Sequence, residues 1–477
     1  MIATALIAGT HSGVGKTTLT MGLLTAFRNR GKKVQSFKCG PDYIDPTFYR
    51  WITGRPCSNL DSWLMDPSTI QRLYHRAIAG ADLAFVEGVM GLYDGAVGEK
   101  PGEAGSSASI ARILNIPIIL VVDGTSAAQS VAATVHGFAT LRQDLNVAAV
   151  IINRVGSERH GQMIQKAIEE TCQIPVYGWL LKKSIEPMPE RHLGLVSAVT
   201  DQPALRDYCN RLAEVIEQQI DLDRLYNQIR SHFFLLEEKR WDQKNNPITR
   251  IVTTTSNQIR SQKRIPIAIA RDEAFHFYYE DSLRDLSDRG IEWVPFQPVA
   301  GETFPAHVKG IYLGGGYPEL YLEALQSNER FIQDLRQAFQ EGLPIYGECG
   351  GYMFLSQSIE DLSQRRYKLA GLIPANSVMQ KRRQALGYVT ATALTENVLT
   401  SPGENLRGHE FHYSSLTYQK AELQNPVFAI AKTTLAGEKA ISRSVGYVEK
   451  RLTASYVHFH LSAYPAAMDR FVSYFSS

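Results

Sequence analysis

Long apolar runs, paired cysteines and an excess of either charge are all missing from this chain of 477 residues. Its longest apolar candidate, Ile116 to Val122, is strand-sized and far short of the ~18 residues a membrane helix needs, so no membrane partner is expected. The cysteines, Cys39, Cys57, Cys172, Cys209 and Cys349, are odd in number, scattered and without a C-x-x-C pair. That pattern argues against a disulfide scaffold or a zinc knuckle and for a reducing, cytoplasmic location. Lys and Arg number 50 against 48 Asp and Glu, a net charge of +2 without the basic bias of a nucleic-acid binder. The opening MIATALIAGTHSG has no basic n-region and runs directly into a glycine loop. It is expected to be a first strand, not a signal peptide.

What is present is ordinary globular composition, 44% hydrophobic and 21% charged. At ~150 residues per domain the length admits two large units or three smaller ones. Short Val-, Ile- and Ala-rich runs at Ala3–Ala8, Leu83–Val86, Ile116–Val122 and Val147–Ile152 alternate with helix-length stretches such as Thr17–Arg30 and Ala127–Leu141. Continuous apolar runs of that length suit strands covered on both faces, so residues 1–235 are expected to form a doubly wound α/β domain with a parallel sheet. Residues 236–264 are polar and aperiodic and are expected to be a linker. From Arg264 the pattern restarts, with strands at Ile265–Ala270, Gly310–Leu313 and Leu343–Gly347 and a helix at Phe331–Gln340, giving a second α/β domain over 265–477.

The segment Gly9-Thr10-His11-Ser12-Gly13-Val14-Gly15-Lys16-Thr17-Thr18 follows a strand and opens a helix, where a phosphate cradle belongs. Lys16 is placed to reach β- and γ-phosphates, and the Thr17 hydroxyl to bind Mg²⁺. The strict G-x-x-x-x-G-K-[ST] pattern needs glycine at position 10; Thr stands there and Gly9 sits one place earlier, so the loop is a variant.

Acids for the Mg²⁺ site have three candidate sources. Asp42 and Asp45 lie in the turn-rich KCGPDYIDP; Glu87 ends the run Leu83–Val86 and is followed by Gly88, Gly91 and Asp94; Asp123 ends the next strand, and the amide Asn153 ends the one after. Strand C-terminal ends are where parallel sheets bind ligands.

Near the other end, Leu343-Pro344-Ile345-Tyr346-Gly347-Glu348-Cys349-Gly350-Gly351-Tyr352 reads as strand, G-x-C-x-G, then helix. This is a nucleophile elbow with Cys in place of Ser. A base is needed, and Tyr456-Val457-His458-Phe459-His460-Leu461 lies 109 residues on, expected as a strand with both histidines on one face. An oxyanion hole needs free backbone N–H groups, for which Gly315, in LGGGYPE, and Gly350 are the candidates. His409 and His412 form a second pair, with a polar surface as their simplest reading.

These motifs together resemble the cobyrinate and cobyric acid synthase family. The segments that carry the resemblance are GTHSGVGKTT, FKCGPDYIDPTFY, NLDSWLM, FVEGVMGLYDG, ARDEAFHFYY, YLGGGYPE, YGECGGYMFLS, GHEFHYS and ASYVHFHL, which span essentially the whole chain. The resemblance implies a dethiobiotin-synthetase-like P-loop domain joined to a class I glutamine amidotransferase domain of flavodoxin-like α/β type. It implies ATP and L-glutamine as co-substrates, Mg²⁺ as cofactor, and amidation of the a and c carboxylates of the corrinoid cobyrinic acid through an acyl phosphate. Gly9, Thr10, Gly13, Gly15, Lys16, Thr17 and Thr18 are then the ATP loop, with Asn153 reading the adenine edge. Thr17, Asp42 and Glu87 are the implied metal ligands, and Asp42, Asp45, Glu87 and Asp94 act around the corrinoid carboxylate or its phosphorylated form. Cys349 is the implied nucleophile and His458 its base. A homodimer is left open.

One departure stands out. The wider triad amidotransferases carry Glu two places after the catalytic His; here that place is His460, so either His460 or an acid not identified from sequence orients His458. Three rival readings remain: hydrogenobyrinic acid or nickel sirohydrochlorin as the macrocycle, cobyric acid synthesis on the same architecture, and a P-loop regulatory ATPase with a non-catalytic amidotransferase-like domain. The cationic Lys381-Arg382-Arg383 and Arg407 are candidates for corrinoid contact, balanced by the reading of a solvated basic loop.

Overall fold

The computed structural model describes residues 2–185, 203–241, 264–433 and 439–476. They fall into two compact units, Met1–Val252 and Thr253–Ser477. Of the polar stretch 236–264, residues 236–241 continue the helix Leu222–Trp241, and 242–263 lie outside the described residues. Among the described residues no helix is long and apolar enough to cross a membrane.

The first unit is built on seven strands: β1 (Ala3–Gly9), β2 (Val34–Cys39), β3 (Ser58–Leu60), β4 (Leu83–Glu87), β5 (Ile118–Asp123), β6 (Val147–Val155) and β7 (Val176–Leu181). They form one sheet in the order β3-β2-β4-β1-β5-β6-β7, every pair parallel. Burial explains why these strands read as unbroken apolar runs. Ala5 and Ile7 face a core shared with the helices Lys16–Asn29, Pro203–Gln219 and Leu222–Trp241, while Leu6 and Ala8 are equally buried on the opposite face. The same topology puts Gly9, Cys39, Glu87, Asp123 and Asn153 at neighbouring strand ends.

The second unit has a central sheet of six strands: β8 (Ile265–Ala270), β9 (Ile291–Phe296), β10 (Ile311–Leu313), β11 (Ile345–Glu348), β20 (Tyr447–Glu449) and β21 (Leu452–Ser455), ordered β20-β21-β11-β10-β8-β9. All its pairs are parallel except β20 with β21. Between β11 and β20 the chain carries further strands, which β22 joins from beyond β21. A mixed sheet takes β12 (Ser356–Glu360), β13 (Arg366–Lys368), β14 (Ile373–Met379) and β17 (Ser414–Tyr418). An antiparallel sheet takes β15 (Ala385–Ala393), β16 (Asn405–His412), β18 (Phe428–Thr433), β19 (Lys439–Val445) and β22 (Val457–His458).

The central strands begin and end within a few residues of the apolar runs in the sequence. The inserted strands were not legible that way. β14, for instance, alternates buried and half-buried residues along IPANSVM, because only one face is covered, and so offers no continuous run.

Candidate functional site

In the first unit, β1 ends at Gly9 and the helix Lys16–Asn29 starts after Gly15, which adopts φ 103°. A side chain there would strain the backbone and place Cβ 2.2 Å from Asn153 Nδ2. No side chain caps this helix, so its first-turn amides keep the donors that an anion takes up. Lys16 is buried and folds back onto the loop, its Nζ donating to the carbonyls of Met90 and His11. Burial lowers its pKa against the attraction of Glu87.

Below the loop lies a cluster of opposed charges. Lys38 Nζ, at the end of β2, sits 2.7 Å from Asp45 Oδ2, 2.9 Å from Glu87 Oε1 and 3.6 Å from Asp42 Oδ2. Thr17 Oγ1 donates to Glu87 Oε1 at 2.8 Å and approaches Asp45 Oδ2 at 3.3 Å. Asp42 Oδ1 is engaged locally, accepting the backbone N–H groups of Ile44 and Asp45. Thus Asp45, rather than Asp42, meets Thr17. Three carboxylates share one ammonium, and burial raises both Asp42 and Glu87, the latter to about 7. Those three acids hold Lys38 well above its usual range despite its burial.

The cluster fits Mg²⁺. Its donors are hard oxygens, its charge is in excess negative, and Glu87 Oε2 is buried without a hydrogen-bond partner. Among the described residues no group of three or more His, Cys, Asp or Glu is arranged to hold a metal unaided. Mg²⁺ does not require one, since it keeps water and binds one or two carboxylates alongside phosphate.

Asp94 Oδ2 accepts the Gly91 N–H at 2.7 Å and so shapes the loop that reaches Lys16 through Met90. Thr10 N–H donates to Val121 across the sheet edge, and Gly13 and Thr18 stay within the loop and first helical turn. Asn153 is held by two bonds. Its Nδ2 donates to the Val14 carbonyl and its Oδ1 accepts the Arg154 N–H. The amide is packed beneath Gly15 and braces the loop. Arg154, not anticipated, adds a second brace from Nη2 to the Gly13 carbonyl and pairs with Asp123.

In the second unit the elbow forms as its glycines allow. Cys349 takes φ 47° and ψ −100°, a conformation costing about 1–3 kcal/mol that the surroundings must hold. A Cβ on Gly351 would lie 2.1 Å from the Leu313 carbonyl oxygen, so only glycine lets the helix Gly350–Leu355 approach β10. Cys349 N–H donates to Ser455, and its Sγ lies 3.7 Å from the Phe411 carbonyl. Cys349 as a whole is 4% exposed.

His458, on β22, is hydrogen-bonded with Cys349, and its Nδ1 lies 3.1 Å from Glu348 Oε2. Burial would lower this imidazole, but Cys349 and Glu348 together raise it to about 10. Gly315 passes directly over the ring: a Cβ there would be 2.5 Å from His458 Cε1. A Cβ on Gly350 would be 3.0 Å from Gly316 N, so the elbow and the Gly314–Gly316 segment pack closely on each other.

The strand expected to align His458 and His460 ends at His458. His460 opens a 3-10 turn and packs its ring on Tyr279, with centroids 4.4 Å apart. His409 and His412 are buried, not a polar surface. His409 pairs with His458 in the β16–β22 register, and His412 stacks on Tyr456 with its Nδ1 at the Ser414 carbonyl.

Comparison with known proteins agrees with both halves. Residues 5–195 match the CobQ/CobB/MinD/ParA nucleotide binding domain, and residues 266–466 match the CobB/CobQ-like glutamine amidotransferase domain. The cobyrinate a,c-diamide synthase of Dehalococcoides mccartyi (strain CBDB1) is 40% identical over 470 residues, covering 98% of this chain and 97% of that protein. The chain belongs to the cobyrinate a,c-diamide synthase family. The Syntrophotalea carbinolica member is likewise 40% identical, with 98% of each chain covered, and the Priestia megaterium member is 37% identical over 98% of this chain. Membership places a nucleotide-binding half and a glutamine amidotransferase half in one polypeptide, as the two sites themselves do.

Proposed function

We propose that this chain amidates the a and c carboxylates of cobyrinic acid, using ATP to activate each acid and glutamine as the nitrogen source. The observation that carries the reading is the presence, in one chain, of a phosphate loop over an acidic cluster and a Cys349–His458 pair at a nucleophile elbow.

A carboxylate does not yield oxide to ammonia; phosphoryl transfer gives it a leaving group. Lys16 and the first-turn amides of the helix Lys16–Asn29 hold the phosphates and offset charge on the transferred group. Thr17, Asp45 and Glu87 would hold Mg²⁺, which supplies further charge neutralisation there, and Asp42 joins them through Lys38. Asp94 supports the loop that orients Lys16. At the elbow, the Cys349 sulfur attacks the glutamine amide carbon while Gly315 and Gly350 N–H groups receive the oxyanion. The C–N bond breaks as His458 gives its proton to the departing ammonia, and water then frees glutamate. Ammonia must meet the acyl phosphate unprotonated, since ammonium has no lone pair to attack with.

The test is product mass after incubation with ATP, Mg²⁺, glutamine and cobyrinic acid, repeated with hydrogenobyrinic acid and nickel sirohydrochlorin. Two amides on cobyrinic acid are expected; amidation confined to another macrocycle reassigns the substrate, and no amidation of any sinks the reading. Cys349→Ser is expected to lose glutamine-driven synthesis and retain synthesis with added ammonium. Loss of both would contradict separate sites. A regulatory ATPase with a dead second domain would have no use for the assembled Cys349–His458 pair.

A further inference from the structure

We propose that Glu348, the residue immediately before the nucleophile, is the positioning residue of the thiol site, holding His458 by Nδ1 so that Nε2 faces the Cys349 sulfur. The inference rests on reading that site as a glutaminase, and deepens it.

Three observations carry it. First, Glu348 Oε2 is 3.1 Å from His458 Nδ1, and both side chains are almost completely buried. An ionised carboxylate only accepts, so Nδ1 bears the proton and Nε2 is left for the sulfur. Second, the carboxylate is itself fixed. Tyr346, two residues back on β11 and therefore on the same face, donates from its hydroxyl to Glu348 Oε1 at 2.7 Å, and Tyr312 on β10 also faces it. Third, the residue two places after the base is held by another partner. β22 ends at His458, and His460 turns away into a 3-10 turn against Tyr279.

The other groups near the imidazole do not compete for this role. From β16 it meets His409, Glu410 and His412. Burial pushes His409 down to about 3 and His412 to about 4, so both are neutral in the physiological range. Glu410 is paired with Arg443 at 2.9 Å. Glu348 adds a hydrogen-bonded carboxylate at His458 Nδ1.

The chemistry follows from that geometry. When Sγ–C forms and C–N breaks, a proton leaves Nε2 for the ammonia, and the Nδ1 proton stays with Glu348. A glutamine at 348 would keep the Tyr346 bond but turn an amide N–H toward Nδ1, favouring the tautomer that leaves Nε2 protonated and unable to accept from the thiol.

Glutamine hydrolysis and ammonium-driven synthesis are to be compared for the full chain and its Glu348→Gln, Glu348→Asp and His460→Phe variants across about pH 6 to 10. Glu348→Gln is expected to lower kcat for glutamine hydrolysis about a hundredfold or more, as loss of the orienting acid does in related triads. Ammonium-driven synthesis and the KM for glutamine are expected to stay within about twofold. The alkaline limb should move to lower pH, because removing a negative neighbour makes the imidazolium lose its proton earlier. Glu348→Asp should recover part of the rate, and His460→Phe should keep it. An unchanged rate and limb in Glu348→Gln overturns the inference, as does an equal loss of both nitrogen sources, or a loss in His460→Phe with Glu348→Gln intact. A wild-type chain that hydrolyses no glutamine would instead sink the reading beneath it.

Discussion

The two sites solve opposite electrostatic problems. Around Lys38 the negative charge is in surplus: Asp42, Asp45 and Glu87 share one ammonium, and Glu87 keeps a buried oxygen with no hydrogen-bond partner. Around Cys349 a single buried imidazole stands between two partners, Glu348 on one side and the sulfur on the other, and each is hydrogen-bonded to it. A surplus buried charge is costly until a counter-ion arrives, whereas a hydrogen-bonded line of side chains is complete beforehand. The phosphate site is therefore organised by its ligands and the thiol site by its own side chains. That contrast is what the proposed nucleotide site and the proposed nucleophile would each require.

The largest expected effect separates the two outright. Lys16→Met should reduce synthesis about a thousandfold with either glutamine or ammonium, since the phosphoryl group loses its buried cation. Comparison with Cys349→Ser, which should lose one nitrogen source only, tests whether the sites are chemically distinct. Persistence of synthesis in Lys16→Met would break the comparison.

A smaller effect sharpens it. Lys38→Met leaves Asp45 and Glu87 buried without their cation and should cost about 3–5 kcal/mol in urea unfolding. Added Mg²⁺ should restore part of this, and more at higher pH, because Glu87, already raised to about 7 and raised further without Lys38, must lose its proton to bind a cation. If Mg²⁺ restores nothing at any pH, the cluster is not a cation site.

The smallest concerns Asn153. Removing one buried hydrogen bond under the loop in Asn153→Ala should cost about 1 kcal/mol of ATP binding, read as a severalfold rise in KM for ATP. Discrimination between ATP and GTP should not change. A selective loss of that discrimination would return Asn153 to adenine recognition.

Legibility in the sequence follows the same division. The phosphate loop, Glu87 and the Cys349 elbow are local, each a strand end joined to a turn, and short-range spacing was enough to place them. Lys38 was visible as a letter in KCGPDYIDP, yet its contact with Glu87 depends on β2 and β4 being neighbours. Asn153 and Arg154 lie at the end of a strand two removed from β1, and nothing near them in sequence says that they brace Gly13 and Val14. Glu348 was hidden by its own motif, where attention falls on the cysteine beside it.

Sequence alone determined the elements whose cause is local: apolar runs that become doubly covered strands, glycines that permit φ 103° at Gly15 or the close approach at Gly351, and the order of nucleophile and base. Tertiary structure decided which carboxylate meets which partner. It put Asp45 at Thr17, turned Asn153 under the loop, stopped β22 at His458 and brought Glu348 to the imidazole. The physical reason is range. Backbone preference and burial pattern act over a few residues, but a hydrogen bond of 3.1 Å between positions 348 and 458 exists only once two separate sheets have fixed both ends.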